Sequence, residues 1–151
     1  MFASTETIEA VFERAPVLAG RLRPLVPEGT SPEAIVAAAR AIIDSLAEPD
    51  RMRILDAHPR IGADPASLST LSRAEQGGGD DPETLRELAA LNDEYERRFG
   101  FRFVVFVAGR SKREILPVLR ERLRRTRERE LAAGLDEFLR ISRDRLRRAA
   151  G

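Results

Sequence analysis

Three clusters in this chain combine residue types that move protons or hold anions. The first is DAHPRIG, residues 56–62, which contains His58, the only histidine. An imidazole titrates near pH 6.5, so it can give or take a proton at neutral pH. Pro59 lacks a backbone donor and disfavours helical geometry in the residue before it. His58 is therefore expected to leave the end of a helix in extended conformation, with its ring turned toward a neighbouring cleft. Two uses stay open for the residues alone: a general acid, or a histidine favoured at a helix C-terminus by the dipole.

The second cluster is Ser72-Arg73-Ala74-Glu75-Gln76, where a hydroxyl, a carboxylate and an amide fall within about 1.4 helical turns. Ser72 and Glu75 have capping-box spacing, so the same residues also fit a plain helix start. The third is the apolar run Phe103-Val104-Val105-Phe106-Val107, which follows Phe99-Gly100-Phe101. It reads as core. Its chemical use would lie in backbone N–H groups left unpaired in an irregular turn and aimed at an anion.

Other chemistries are excluded by composition. The chain has no cysteine, hence no disulfide, thiolate nucleophile or zinc–thiolate site. One histidine makes no His-based metal cage. There is no P-loop, no G-x-G-x-x-G and no calcium loop, and GGGD at 77–80 is too short and acidic to cradle phosphate. With 26 basic and 25 acidic side chains, the net charge of +1 demands no nucleic-acid partner. No apolar run approaches the roughly 20 residues that span a bilayer. The N-terminus lacks the basic-then-apolar order of a secretory signal, so no membrane partner and a cytoplasmic location are expected.

The elements that must position these clusters are helical. Ile8, Val11, Phe12, Leu18 and Leu22 form an apolar stripe that Pro16 and Pro24 should split or kink. Thr30 or Ser31 can cap a helix with Pro32 in its first turn, and Ile35, Ala38, Ala39, Ile42, Ile43 and Leu46 share one face of it. A short segment after Pro49 carries Met52 and Leu55 toward His58. Residues 59–71 read as loop. Asp81 and Pro82 open a helix with Leu85, Leu88, Leu91, Tyr95 and Phe99 inside and Gly100 at its end. Residues 101–109 favour an extended piece by β-branched and aromatic content, although a tight helical turn competes, and a lone strand has no partner. Ser111 starts a helix through Ile115, Leu116, Leu119 and Leu123. A last helix carries Leu131, Leu135, Phe138, Leu139 and Leu146. The expectation is one all-α domain over residues 1–151, a compact bundle of about seven to nine helices.

Arginines crowd the last thirty residues: Arg120, Arg122, Arg124, Arg125, Arg127 and Arg129, then Arg140, Arg143, Arg145, Arg147 and Arg148. Acidic residues interleave three or four positions away, where helix side chains meet. The spacing predicts a solvated, salt-bridged face. The alternative, a nucleic-acid-binding strip, lacks interleaved aromatics and any known motif.

Taken in order, HPRIG, then SxxEQ, then LNDEYERRFGFRFVVFVAGRS, then IL-x-x-L-x-x-RL resemble one family across most of the chain. They are similar to the 2-oxo-4-hydroxy-4-carboxy-5-ureidoimidazoline (OHCU) decarboxylases, carboxy-lyases of purine metabolism that make (S)-allantoin in urate degradation. The resemblance implies an all-helical homodimer without metal or organic cofactor, acting on a small ureidoimidazoline carboxylate. It implies that His58 is the catalytic proton donor and Glu75 the essential carboxylate. It also implies that Pro59, Ser72, Arg73, Ala74, Gln76 and the stretch Phe103, Val104, Val105, Phe106 and Val107 bind substrate. The chain departs from the pattern twice. Its connection after Gln76, EQGGGDDPETL, is short, and Ala108 stands before the glycine where many members carry a basic residue. Arg60, Arg102 or Arg110 would then meet the substrate carboxylate. A family-like lyase acting on another ureido or imidazoline acid, and a helical homodimer without chemistry, are the remaining alternatives.

Overall fold

A computed structural model of the chain describes residues 5–12, 15–63, 75 and 81–150. Among these, every regular element is helical. The proline-split stripe becomes α1 (Thr5–Val11), α2 (Pro16–Leu22) and a 3-10 turn (Arg23–Leu25) holding Pro24. Then come α3 (Pro32–Ser45), α4 (Glu48–Ala57), α5 (Pro82–Phe99), α6 (Lys112–Arg122) and α7 (Arg127–Ala150). The expected all-α architecture is the observed one, with seven α-helices among the described residues.

Local chemistry explains the boundaries. Ser31 caps α3, its Oγ accepting from the Ala34 N–H at 3.2 Å. The Asp81 carboxylate caps α5 through the Thr84 N–H and hydroxyl, and Gly100 ends that helix in the left-handed region. Ser111 and Glu114 form a reciprocal capping box at the start of α6. Each cap satisfies amides that have no partner inside the helix.

The long α7 is the hub. It packs against α1, α3, α4 and α5, while α2 rests on α1 and α3, and α6 on α5. Its inner face buries Leu131, Leu135, Phe138, Leu139, Ile141 and Leu146. Gly134 sits in the middle of that face, at a position where glycine costs about 0.5–1 kcal/mol relative to alanine. A Cβ there would lie 2.9 Å from Leu55 Cδ1. The missing side chain thus lets α4 approach α7 closely, and α4 is the helix that delivers His58.

Residues 102–107 belong to no helix or strand. Phe101, Phe103, Val104, Val105 and Val107 are buried in the common core. Of the two conformations open from sequence, the helical turn is not formed over 102–107. The stretch ends in a turn where Ala108 takes φ 53°, the one non-glycine positive φ among the described residues, and Gly109 takes φ 78°. Leu85 and Leu91, expected inside α5, are half-buried. Asn92 is buried instead, 1% exposed, and its amide donates to the Ile61 carbonyl at 3.3 Å.

Candidate active site

His58 is the C-terminal cap of α4. Its backbone is extended (φ −74°, ψ 140°), and its N–H closes the last turn on the Leu55 carbonyl. The proline effect expected from sequence is therefore present. The His58 carbonyl accepts from Arg102 Nη1 at 2.7 Å, and the Arg102 N–H donates to Asp56. One arginine thus pins the helix end to the start of the 102–107 stretch. The imidazole stands edge-on to Phe138 of α7, ring centroids 5.7 Å apart. Phe138 lies one helical turn beyond Gly134, so the close approach of the two helices sets this contact. After Pro59 the chain reverses at Gly62, whose φ of 87° only glycine adopts freely and where a Cβ would meet Leu88 at 3.3 Å.

Glu75 is held from the far end of the chain. Its two carboxylate oxygens accept from Arg145 Nε at 2.8 Å and Nη2 at 2.7 Å, a bidentate pair. The side chains are 1% (Arg145) and 15% (Glu75) exposed. Arg145 Nη1 also donates to the Val11 carbonyl at 3.0 Å. A carboxylate that served only as a local cap would need no such partner. Four lone-pair directions on two oxygens leave Glu75 acceptor capacity for a ligand.

His58, Pro59, Ile61, Glu75, Val105, Phe106, Val107 and Ile141 line one pocket. The two groups nominated for catalysis therefore share a cavity with the nominated backbone stretch. Its volume is about 30 Å³, space for one or two water molecules. The N–H groups of residues 103–107 donate to no acceptor among the described residues. Buried amides are nearly always paired; an unpaired row beside a cavity is the arrangement that receives an anionic oxygen. A wider groove of about 590 Å³ lies between α6 and α7, but its lining matches three arginines with three carboxylates and offers no comparable proton donor.

The sequence model of the family described as OHCU decarboxylase matches residues 3–147. The chain belongs to the OHCU decarboxylase family. It is 32% identical over 148 residues to the 2-oxo-4-hydroxy-4-carboxy-5-ureidoimidazoline decarboxylase of Amia calva, covering 93% of this chain and 84% of that one. The enzyme of the same name from Haloferax volcanii is 29% identical over 140 residues, 90% of this chain and 82% of that one. The uric acid degradation bifunctional protein PucL of Bacillus subtilis is 29% identical over 145 residues, 94% of this chain, and the chain spans only 29% of that relative's length. A solved structure described as OHCU decarboxylase in the presence of (S)-allantoin superposes with a TM-score of 0.76. It is 25% identical and covers 97% of this chain and 98% of that one.

Other OHCU-family expectations meet the structure unevenly. Ser72, Arg73, Ala74 and Gln76 lie outside the described residues, as does the GGGD run. Phe103 and Val104 sit on the 102–107 stretch but do not line the pocket, whereas Val105, Phe106 and Val107 do. The three arginines offered for a substrate carboxylate are engaged elsewhere. Arg60 bridges Glu96 and Asp93 at 2.7 Å each. Arg102 holds the His58 carbonyl. Arg110 donates to the carbonyls of Val107 and Phe106.

The C-terminal arginines require a correction. Many do sit on a solvated face beside a carboxylate, as Arg140 with Glu137, Arg147 with Glu33 and Arg148 with Asp144 illustrate. Arg122, Arg145 and Glu130 do not: all three are buried. A helical count reveals them. Glu130, Gly134, Phe138, Ser142 and Arg145 follow three- and four-residue steps along the inner stripe of α7, and Arg122 continues Ile115 and Leu119 on α6. Three charges that belong to the core interior were thus hidden among many that do not.

Proposed function

We propose that this chain decarboxylates 2-oxo-4-hydroxy-4-carboxy-5-ureidoimidazoline to (S)-allantoin, a carboxy-lyase step of urate degradation that uses no metal or organic cofactor. The convergence of His58, Glu75 and residues 105–107 on one pocket carries the reading. The bond from the ring carbon to the carboxylate breaks, carbon dioxide leaves, and the electron pair enters the conjugated ring as an enolate-like anion. The ring itself is the electron sink, which is why no cofactor is needed. Backbone donors at Val105 and Val107 meet the oxygen on which charge collects, each worth about 2.7–4 kcal/mol to such a transition state. Glu75, fixed by Arg145, accepts from the substrate hydroxyl or ureido group and sets the ring's orientation. Ser72 and Gln76 are assigned hydrogen bonds to the ureido group or the departing carboxylate. His58 then adds a proton to one face, which makes the product a single enantiomer. Pro59, Ile61 and Ile141 supply apolar wall that strengthens these fields by excluding water.

The test uses substrate generated freshly by the two preceding oxidation and hydrolysis steps and follows circular dichroism after this protein is added. Rapid appearance of an optically active product supports the reading; slow formation of racemate at the uncatalysed rate overturns it. The same reading makes the protein a cytoplasmic homodimer. Val17 and Leu25, large apolar side chains 49% and 61% exposed on α2 and the adjoining turn, are a surface for a second copy. Light scattering at the mass of one chain would remove the dimer. Ion pairs of the exposed C-terminal arginines with carboxylates favour this reading over the nucleic-acid alternative.

A further inference from the structure

The row of unpaired amides poses a mechanical question. A segment in neither helix nor sheet has no ladder of backbone hydrogen bonds to fix the rotation of its peptide planes, yet catalysis through backbone donors needs them fixed. Two arginines grip the segment by its carbonyls. Arg122 Nη1 donates to the Val104 carbonyl at 2.6 Å. Arg110 donates through Nη2 to the Phe106 carbonyl at 2.7 Å and through Nε to the Val107 carbonyl at 2.9 Å. Neither arginine lines the pocket shared by His58 and Glu75.

Peptide geometry turns these contacts into an orientation. No cis bond occurs among the described residues, and in a planar trans peptide the C=O and N–H point in opposite directions. Holding the Val104 carbonyl toward Arg122 aims the Val105 N–H the other way. Holding the Phe106 carbonyl toward Arg110 does the same for the Val107 N–H. Val105 and Val107 are pocket-lining residues, and their N–H groups meet no acceptor among the described residues.

Arg122 is itself locked. Its Nε donates to Glu130 Oε1 at 2.7 Å, the same oxygen that accepts from the Tyr95 hydroxyl at 2.7 Å. Its guanidinium stacks 4.7 Å from the centre of the Phe103 ring. The side chains are 6% (Arg122) and 0% (Glu130) exposed. A buried ion pair of this kind is commonly replaceable by apolar residues without loss of stability, so stability alone is a weak reason for its presence. Arg122 Nη2 and Glu130 Oε2 are buried without a hydrogen-bond partner, a further cost that packing does not require.

We infer that Arg122 and Arg110 are positioning residues, which clamp the carbonyls of the 104–107 stretch so that the Val105 and Val107 amides face the reacting oxygen. The inference rests on the decarboxylase reading for its kinetic consequence, not for its geometry. The half-buried Arg110 gives the cleaner variant. Arg110→Met should lower kcat about tenfold or more, approaching the roughly 10²–10³-fold loss seen when one oxyanion donor is removed, with little change in KM. Arg110→Lys, which reaches one carbonyl but not both, should recover part of it. The double variant Arg122→Met with Glu130→Gln, which removes both buried charges, should behave like Arg110→Met. A kcat within about twofold of the parent in both folded variants overturns the clamp. Backbone NMR shifts supply the separate arm. They should change at Val105 and Val107 in the respective variants, and unchanged shifts there overturn the clamp whether or not the parent decarboxylates. A parent without activity refutes the functional reading alone.

Discussion

Replacing Arg145 by methionine separates the two roles that the Arg145–Glu75 pair combines. The substitution removes a bidentate pair to Glu75 and a bond to the Val11 carbonyl. It leaves a carboxylate that is only 15% exposed without its main counter-charge. Removing one partner of a buried pair costs about 3–5 kcal/mol, because the other charge stays behind. The total stability of a domain is about 5–15 kcal/mol. For a chain of this size about 1 kcal/mol moves Tm by roughly 2–4 °C, so Arg145→Met should melt about 6–20 °C lower. Adding Glu75→Gln discharges the orphaned carboxylate and should return most of that loss, with unfolding followed by far-ultraviolet circular dichroism. Decarboxylase activity should stay lost in the double variant, because the group that orients the substrate is gone. A single variant within about 1 kcal/mol of the parent, or a double variant that regains activity with stability, refutes the reasoning.

Two further outcomes follow from the packing. Gly134→Ala gains about 0.5–1 kcal/mol of helix preference but forces Leu55 to move from a 2.9 Å contact, an overpacking cost of about 1–3 kcal/mol; Tm should fall, and a rise would show that the α4–α7 approach is not tight. Burial raises the pKa of Tyr95 above its usual value of 10.0, the Arg122 charge opposes this, and the hydrogen bond to Glu130 adds to it. Because the folded state keeps the proton longer, stability is intact below about pH 10 and declines above it by up to about 1.4 kcal/mol per pH unit. Tyr95 is the only tyrosine and tryptophan is absent, so tyrosinate absorbance should appear together with unfolding; ionisation near pH 10 with the fold intact would contradict the burial argument.

What could be read from sequence was what periodicity and local chemistry encode. Apolar spacing marked α3, α5 and α7; prolines at 16, 24 and 59 marked breaks; Ser31, Asp81 and Ser111 marked starts. His58 was legible as the break after α4, but the residues alone left its use open between a general acid and a helix-end histidine favoured by the dipole. The 101–109 stretch was half legible, since its apolar composition marks burial but does not choose between an extended piece and a helical turn. Arg122, Glu130 and Arg145 were not recognised, because an i,i+3 or i,i+4 charge pair looks the same on a wet face as on a buried one. Only their register against Phe138 and Leu119 separates them, and that register has meaning once neighbouring helices are in place. The partners of Arg60, Arg102 and Arg110 were not legible for a related reason: these long side chains meet backbone carbonyls, Asp93 and Glu96, most of which the linear order does not place beside them.

The central claim is that His58 delivers a proton inside a pocket it shares with Glu75. Its most direct test is the rate of optically active product formation by His58→Asn, measured by circular dichroism on freshly generated substrate, with far-ultraviolet spectra confirming an intact fold. A general acid contributes about 10²–10⁴-fold, so the variant should lose at least about a hundredfold in stereospecific rate. A folded His58→Asn protein that still makes one enantiomer at close to the parental rate would contradict the account.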